Sequence, residues 1–276
     1  MLTAGRHPAA AQSNKQMTDF ASRSAIVVLG TVEKVGASEE PLLAPTKSTV
    51  VIKVDRMFSG KELAGDQTGR TATVILSKPS DVKVGTKALF FGNPRFIGKT
   101  ITIADVGELP APRAEAQNIQ QTLEPGLQAR RDVPVRARLD IAQMVFRGKV
   151  ESVRSLETES KDKQSIPRDE HDPDWQVAMV RVTSALRGTQ NGAVIPVVFA
   201  GSRDIMWFNS PKLKPGDESL FIGHRPQGSE ATLLRGTGIT SFVEQQHAIF
   251  VTEPFDVLSA SDEKRVLGLL EKNQVR

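Results

Sequence analysis

SAIVVLGTVEKV (Ser24–Val35) and AQMVFRGKVESV (Ala142–Val153) set Val27, Gly30, Val32 and Val35 of the first against Val145, Gly148, Val150 and Val153 of the second. Two further pairs follow in the same order. VVIKVDRMFSG (Val50–Gly60) is matched by AMVRVTSALRG (Ala178–Gly188), and VKVGTKALFFG (Val82–Gly92) by LKPGDESLFIG (Leu213–Gly223). The offsets are 118, 128 and 131, so only loop lengths drift between the pairs. A duplicated domain accounts for this order; a chance likeness would not keep it.

Working outward, each block reads as a strand. β-branched residues flank Gly30, and a glycine within a strand pattern marks a bulge or tight bend of the kind small barrels need. Val50, Ile52 and Val54 alternate with Val51, Lys53 and Asp55, the period of a half-buried strand. Thr73–Leu76 and Val194–Phe199 supply a third strand, and Pro196 argues for an edge or a bulge in the latter. Lys83-Val84-Gly85-Thr86 and Lys214-Pro215-Gly216-Asp217 are turns feeding apolar strands, with glycine supplying a positive φ. A fifth strand is expected near Thr100–Ile103 and near Thr232–Leu234. With no βαβ rhythm, five short strands per copy predict a small antiparallel barrel.

A helix is expected after each barrel, over Pro112–Leu123 with Pro125-Gly126 as its stop, and over Ser261–Lys272 with Val266, Leu267, Leu269 and Leu270 as its apolar stripe. The predicted organisation is therefore all-β with accessory helices. It comprises a flexible N-terminal segment (1–21), a first OB-like barrel plus helix (22–124), a linker (125–140), and a second OB-like barrel plus C-terminal helix (141–276).

The chain has 276 residues, enough for two cores of their own. It carries 36 Lys and Arg against 32 Asp and Glu, and a formal charge of +4 is too small on this length to favour nucleic acid by itself. There is no cysteine, which excludes disulfides, thiolate metal sites and a cysteine nucleophile. The opening MLTAGRHPAAAQSNKQMTDF lacks the apolar run of a signal peptide.

The three paired blocks resemble the netrin-like module, the OB-fold barrel of tissue inhibitors of metalloproteinases and of their cysteine-poor bacterial relatives. The pattern runs over Ala25–Val35, Val50–Gly60 and Val82–Gly92, and again over Gln143–Val153, Ala178–Gly188 and Leu213–Gly223. The resemblance implies the fold and an extracytoplasmic binding role. Inhibition in that family rests on an N-terminal cysteine that chelates the protease zinc, and no residue of this chain can inherit that part.

Ile205-Met206-Trp207-Phe208 stands between the third and fourth strands of the second copy, where the first has Ser77-Lys78-Pro79-Ser80-Asp81. Such a cluster either packs internally or forms a binding patch, with Met206, Trp207 and Phe208 as its contacts. Arg130, Arg131, Arg136 and Arg138 are the densest basic cluster, read either as a phosphate- or carboxylate-binding strip or as an ion-paired face. Asp169, Glu170, His171, Asp172 and Asp174 crowd the loop Ser155–Asp174, but their spacing matches no metal motif, and a solvated acidic loop is expected. His7, His171, His224 and His247 are scattered away from any nucleophile arrangement, and no phosphate loop is present.

The expectation is a non-enzymatic protein without cofactor or metal that binds a protein or polymer ligand. A tandem OB protein for single-stranded nucleic acid and a self-assembling structural or envelope-associated protein are the alternatives. Stacking platforms for bases are few, since Tyr is absent and Trp numbers two.

Overall fold

A computed structural model describes residues 8–78, 82–95, 100–111, 116–156, 171–228, 230–231 and 239–273. By contacts the chain falls into two compact units, one ending at Val133 and one beginning at Pro134. Both are mostly β.

In unit 1, β1 (Ile26–Val35), β2 (Thr49–Ser59), β3 (Thr71–Ile75), β4 (Lys87–Pro94) and β5 (Thr102–Pro110) close a barrel in the order β1-β2-β3-β5-β4. A one-turn helix, α2 (Lys61–Ala64), follows β2. The β3–β5 pair is parallel, correcting the all-antiparallel expectation. The reason is parity: strands in a closed ring of five cannot alternate direction all the way round. The interior is filled by Ile26, Val28, Val50, Ile52, Val54, Val74, Phe90 and Ile103 among others. Val27, Leu89 and Phe91 point the other way and are buried too, against helices. Burial on both faces explains why SAIVVLG alternates so poorly.

The helix that covers this outer face is where a flexible lead-in was expected. Pro8–Arg23 form α1, with Met17 and Ala21 buried and Phe20 packed 5.5 Å from the Phe91 ring. Its apolar stripe is only one turn wide, too narrow to read as a helix without the barrel face and the second helix that bury it. The expected linker and the Pro125-Gly126 stop are likewise replaced. Ala116–Ile141 is one 26-residue helix, α3, with Pro125 and Pro134 inside it. An interior proline costs a helix about 3 kcal/mol. Burial of Ile119, Leu123 and Leu127 in unit 1, and of Val135 and Leu139 in unit 2, offsets that cost. At Gly126 a Cβ would sit 2.8 Å from the Ala21 methyl, so glycine lets α1 and α3 touch backbone to backbone.

Unit 2 contains a six-stranded sheet in the order β10-β8-β7-β6-β9-β11, built from β6 (Met144–Ser155), β7 (Trp175–Arg187), β8 (Val194–Ala200), β9 (Glu218–Gly223), β10 (Ile249–Phe250) and β11 (Val257–Ser259). The sheet curls until β10, parallel to β8, meets the end of β9 through the single bridge His224↔Phe250. The expected fifth strand near Thr232–Leu234 lies outside the described residues; Ile249-Phe250 takes the place beside β8. Pro196 precedes the stretch that β10 pairs, so its missing N–H breaks no ladder there.

The units agree in local detail. Register shifts in β1 fall at 27/28, 29/30 and 32/34, and those in β6 at 145/146, 147/148 and 150/152. Gly85 N–H donates to Val32 O and Gly216 N–H to Val150 O in the predicted turns. A Cβ on Gly30 would lie 2.9 Å from Ile52 Cδ1, and one on Gly148 2.6 Å from Val180 Cγ1. Glycine is needed at both because the facing strand passes directly over the bend.

The outer face of β6 and β9 is covered by Val135 and Leu139 of α3 and by Val266, Leu269 and Leu270 of the C-terminal helix α5 (Glu263–Asn273). Leu267, expected in that stripe, is 43% exposed. A further helix, α4 (Ile239–Gln246), precedes β10. Among the described residues, no helix is long and apolar enough to cross a membrane.

Candidate functional site

Unit 2 carries an aromatic layer on the outer face of β7 and β8. Trp175, Val177, Val198, Ala200 and Phe250 are buried there with Trp207 and Val243. Trp175 and Trp207 meet edge to face at 5.6 Å, and Trp175 meets Phe250 the same way at 5.4 Å. Trp207 is only 8% exposed, and its indole N–H donates to the His171 carbonyl at 2.8 Å. Of the four residues in the cluster it is the one that packs internally.

Its neighbours do the opposite. Ile205, Met206 and Phe208 are 83%, 64% and 72% exposed. The turn that displays them is held from several sides. Asp204 accepts from Met206 N–H, Trp207 N–H donates to Asp204 O, and Ser210 N–H donates to Trp207 O. Lys212 Nζ donates to the carbonyls of Ala200 (2.7 Å) and Trp207 (2.9 Å). The Asp204 carboxyl is held below its ordinary range, chiefly by the Met206 N–H and further by His171 at 3.1 Å. Partial burial lowers the Lys212 ammonium.

Behind this turn lies a cavity of about 390 Å³ whose walls include Met206, Trp207, Arg138, His224, Glu230 and Glu253. A chain of polar side chains forms part of its lining. Arg138 grips the fully buried Asp256 with two bonds, Nε to Oδ1 at 2.6 Å and Nη2 to Oδ2 at 3.2 Å. Asp256 also accepts from the backbone N–H groups of Thr252 and Glu253, both at 2.9 Å. Arg138 Nη2 lies 3.1 Å from His224 Nδ1, and His224 Nε2 lies 3.1 Å from Glu230. Thr252 Oγ1 and Gln227 N–H donate to the same Glu230 carboxylate.

One side of the His224 ring thus faces the donor Arg138 and the other the acceptor Glu230, with Asp256 Oδ2 3.7 Å from Nδ1. Burial by itself would raise the Glu230 carboxyl. The hydrogen bonds from His224 and Thr252 outweigh it and hold the group below its ordinary range.

The structure disperses the arginine cluster. Arg131 is bonded to Glu124 and Gln128, whereas Arg138 is in the buried network. Arg130 and Arg136 are half-buried on α3 and take no part in the cavity lining. Of the acidic loop, His171, Asp172 and Asp174 are described and His171 pairs with Asp204; Asp169 and Glu170 lie outside the described residues. Among the described residues no cluster of His, Asp and Glu is arranged to hold a metal ion.

Sequence reasoning missed His224, Glu230, Thr252 and Asp256. Their spacing follows no motif, and His224 occupies the offset position of Asn93, a residue that caps the start of β1 through Ala25 N–H. No protein-family model and no curated protein matches this chain.

Proposed function

We propose that this is a non-enzymatic binding protein whose second unit takes up an apolar segment of a protein partner at the tip formed by Ile205, Met206 and Phe208. The observation that carries this reading is the exposure of three large apolar side chains together on a pinned turn. A contiguous exposed apolar patch signals an interaction surface. Because Trp207 and Lys212 already fix the turn, a partner would bury it without the entropy cost of ordering a loop.

Catalysis has less support. Both ring nitrogens of His224 are committed, and Asp256 is saturated by four donors, so the polar network reads as a strut. The shared bulge positions, turn bonds and strand order support a further proposal, that both units are copies of one OB-type, netrin-like barrel. In unit 2 the closing strand is cut to two residues.

The test is capture from lysate by wild type and by an Ile205→Ser/Phe208→Ser variant, at low and high salt, followed by binding of the purified partner. The expected result is a protein retained at high salt and lost by the variant, with tryptophan emission unchanged. Three outcomes would overturn the reading: equal capture by both proteins, a nucleic acid released by salt, or a change confined to oligomeric state. The last two would favour the nucleic-acid and self-assembly alternatives respectively.

A further inference from the structure

The cavity behind the apolar tip is lined by more carboxylates than lysines or arginines, the reverse of the balance of the chain as a whole. Arg138 is neutralised by its two bonds to Asp256, and the His224 ring is enclosed between Arg138 and Glu230. Glu230 brings a carboxylate to the wall. Glu253, exposed at the mouth, brings another. Among the described residues Arg138 is the sole lysine or arginine lining the cavity. Although the protein carries a net charge of +4, this site is locally acidic. Met206, Trp207, Ile141 and Pro254 supply apolar walls for a methylene stem.

Resting on the proposed binding role, we infer that the partner segment presents a basic side chain, lysine or arginine, beside its apolar residues. Its stem lies along Met206 and Trp207 and its charged head reaches the carboxylates of Glu230 and Glu253. Charge complementarity sets the occupant: an acidic segment would meet the same two carboxylates and be repelled.

Trp207 lines the cavity and is its own reporter. In a Trp175→Phe background, which leaves Trp207 as the one tryptophan, emission would be titrated with three peptides: acetyl-Leu-Lys-Leu-amide, acetyl-Leu-Gln-Leu-amide and acetyl-Leu-Glu-Leu-amide. The expected order is Lys over Gln over Glu, with about tenfold or more between the first and last. Glu253→Gln, which keeps a side-chain oxygen to accept from the Asp256 N–H in the capping box, should narrow that gap several-fold, and Glu230→Gln should narrow it further.

Equal affinity for the three peptides would overturn the inference and leave the apolar tip standing. Preference for the Glu peptide would overturn it in favour of an anion held by Arg138. Failure of all three to bind would overturn it too, and the capture experiment would then decide the proposed function separately. A Lys preference untouched by either glutamate substitution would show that Glu230 and Glu253 do not hold the basic head, and would overturn the assignment of the cavity as its site.

Discussion

The two units place the same strand pair under different covers. In unit 1 the outer face at Thr49 and Ile75 lies under a polar loop in which buried Glu40 accepts from Thr100 and Glu39 N–H donates to Thr73. In unit 2 the paired positions are Val177 and Val198, and the cover is Trp175, Trp207 and Phe250. A satisfied carboxylate and an aromatic layer both close the face. The polar loop leaves Leu42 exposed, whereas the aromatic layer leaves three large apolar side chains on one turn, because a turn that must deliver Trp207 inward turns Ile205, Met206 and Phe208 outward. The exposed apolar tip of unit 2 thus arises beside strands whose register shifts match those of unit 1.

The largest test of this contrast is Arg138→Met. Removing the partner of a fully buried aspartate should cost unit 2 about 3–5 kcal/mol. Both tryptophans lie in unit 2, so urea unfolding followed by fluorescence reads that unit alone. Unit 1, followed by the circular dichroism that fluorescence does not account for, should unfold as before.

Matched Gly30→Ala and Gly148→Ala variants come next. If the bend is the same device twice, each should lower the stability of its own unit by about 1–3 kcal/mol through overpacking against β2 or β7. A large effect in one and none in the other would break the equivalence.

Acid should then separate the units in opposite directions. Burial, with the neighbouring Glu108 carboxyl, raises Asp105 from 3.8 to about 6. The folded state of unit 1 therefore holds that proton more tightly than the unfolded chain. Its contribution is complete below pH 3.8 and is lost as pH rises through about 6. Glu230 is shifted down from 4.5, so its contribution to unit 2 is present above that pH and lost as pH falls further. Lowering pH from neutrality to 5 should tighten unit 1, and continuing below 4.5 should loosen unit 2. Asp105→Asn should flatten the first response in urea titrations across that range.

The smallest effect on stability belongs to Phe208→Ser. An exposed side chain on a turn fixed by other residues should change the midpoint of unit 2 by no more than about 0.5 kcal/mol. It should still remove partner capture. A large loss of stability instead would make the tip part of the packing and remove the ground for the proposed binding role.

The sequence by itself determined the five strands of unit 1 and the first four of unit 2, the bends at Gly30 and Gly148, the turns at Gly85 and Gly216, and the order in which they recur. Each of these depends on residues within a few positions, where backbone freedom and side-chain period act directly. Tertiary structure decided the rest. The Met17–Ala21 stripe is helical because Val27, Leu89 and Phe91 wait to cover it. Pro125 and Pro134 stay inside α3 because packing along the helix outweighs the lost hydrogen bonds. Arg138, His224, Glu230 and Asp256 read as scattered polar residues until folding joins them across 118 positions. Burial then makes pairing obligatory, and the pairs that form decide which side chains the cavity presents.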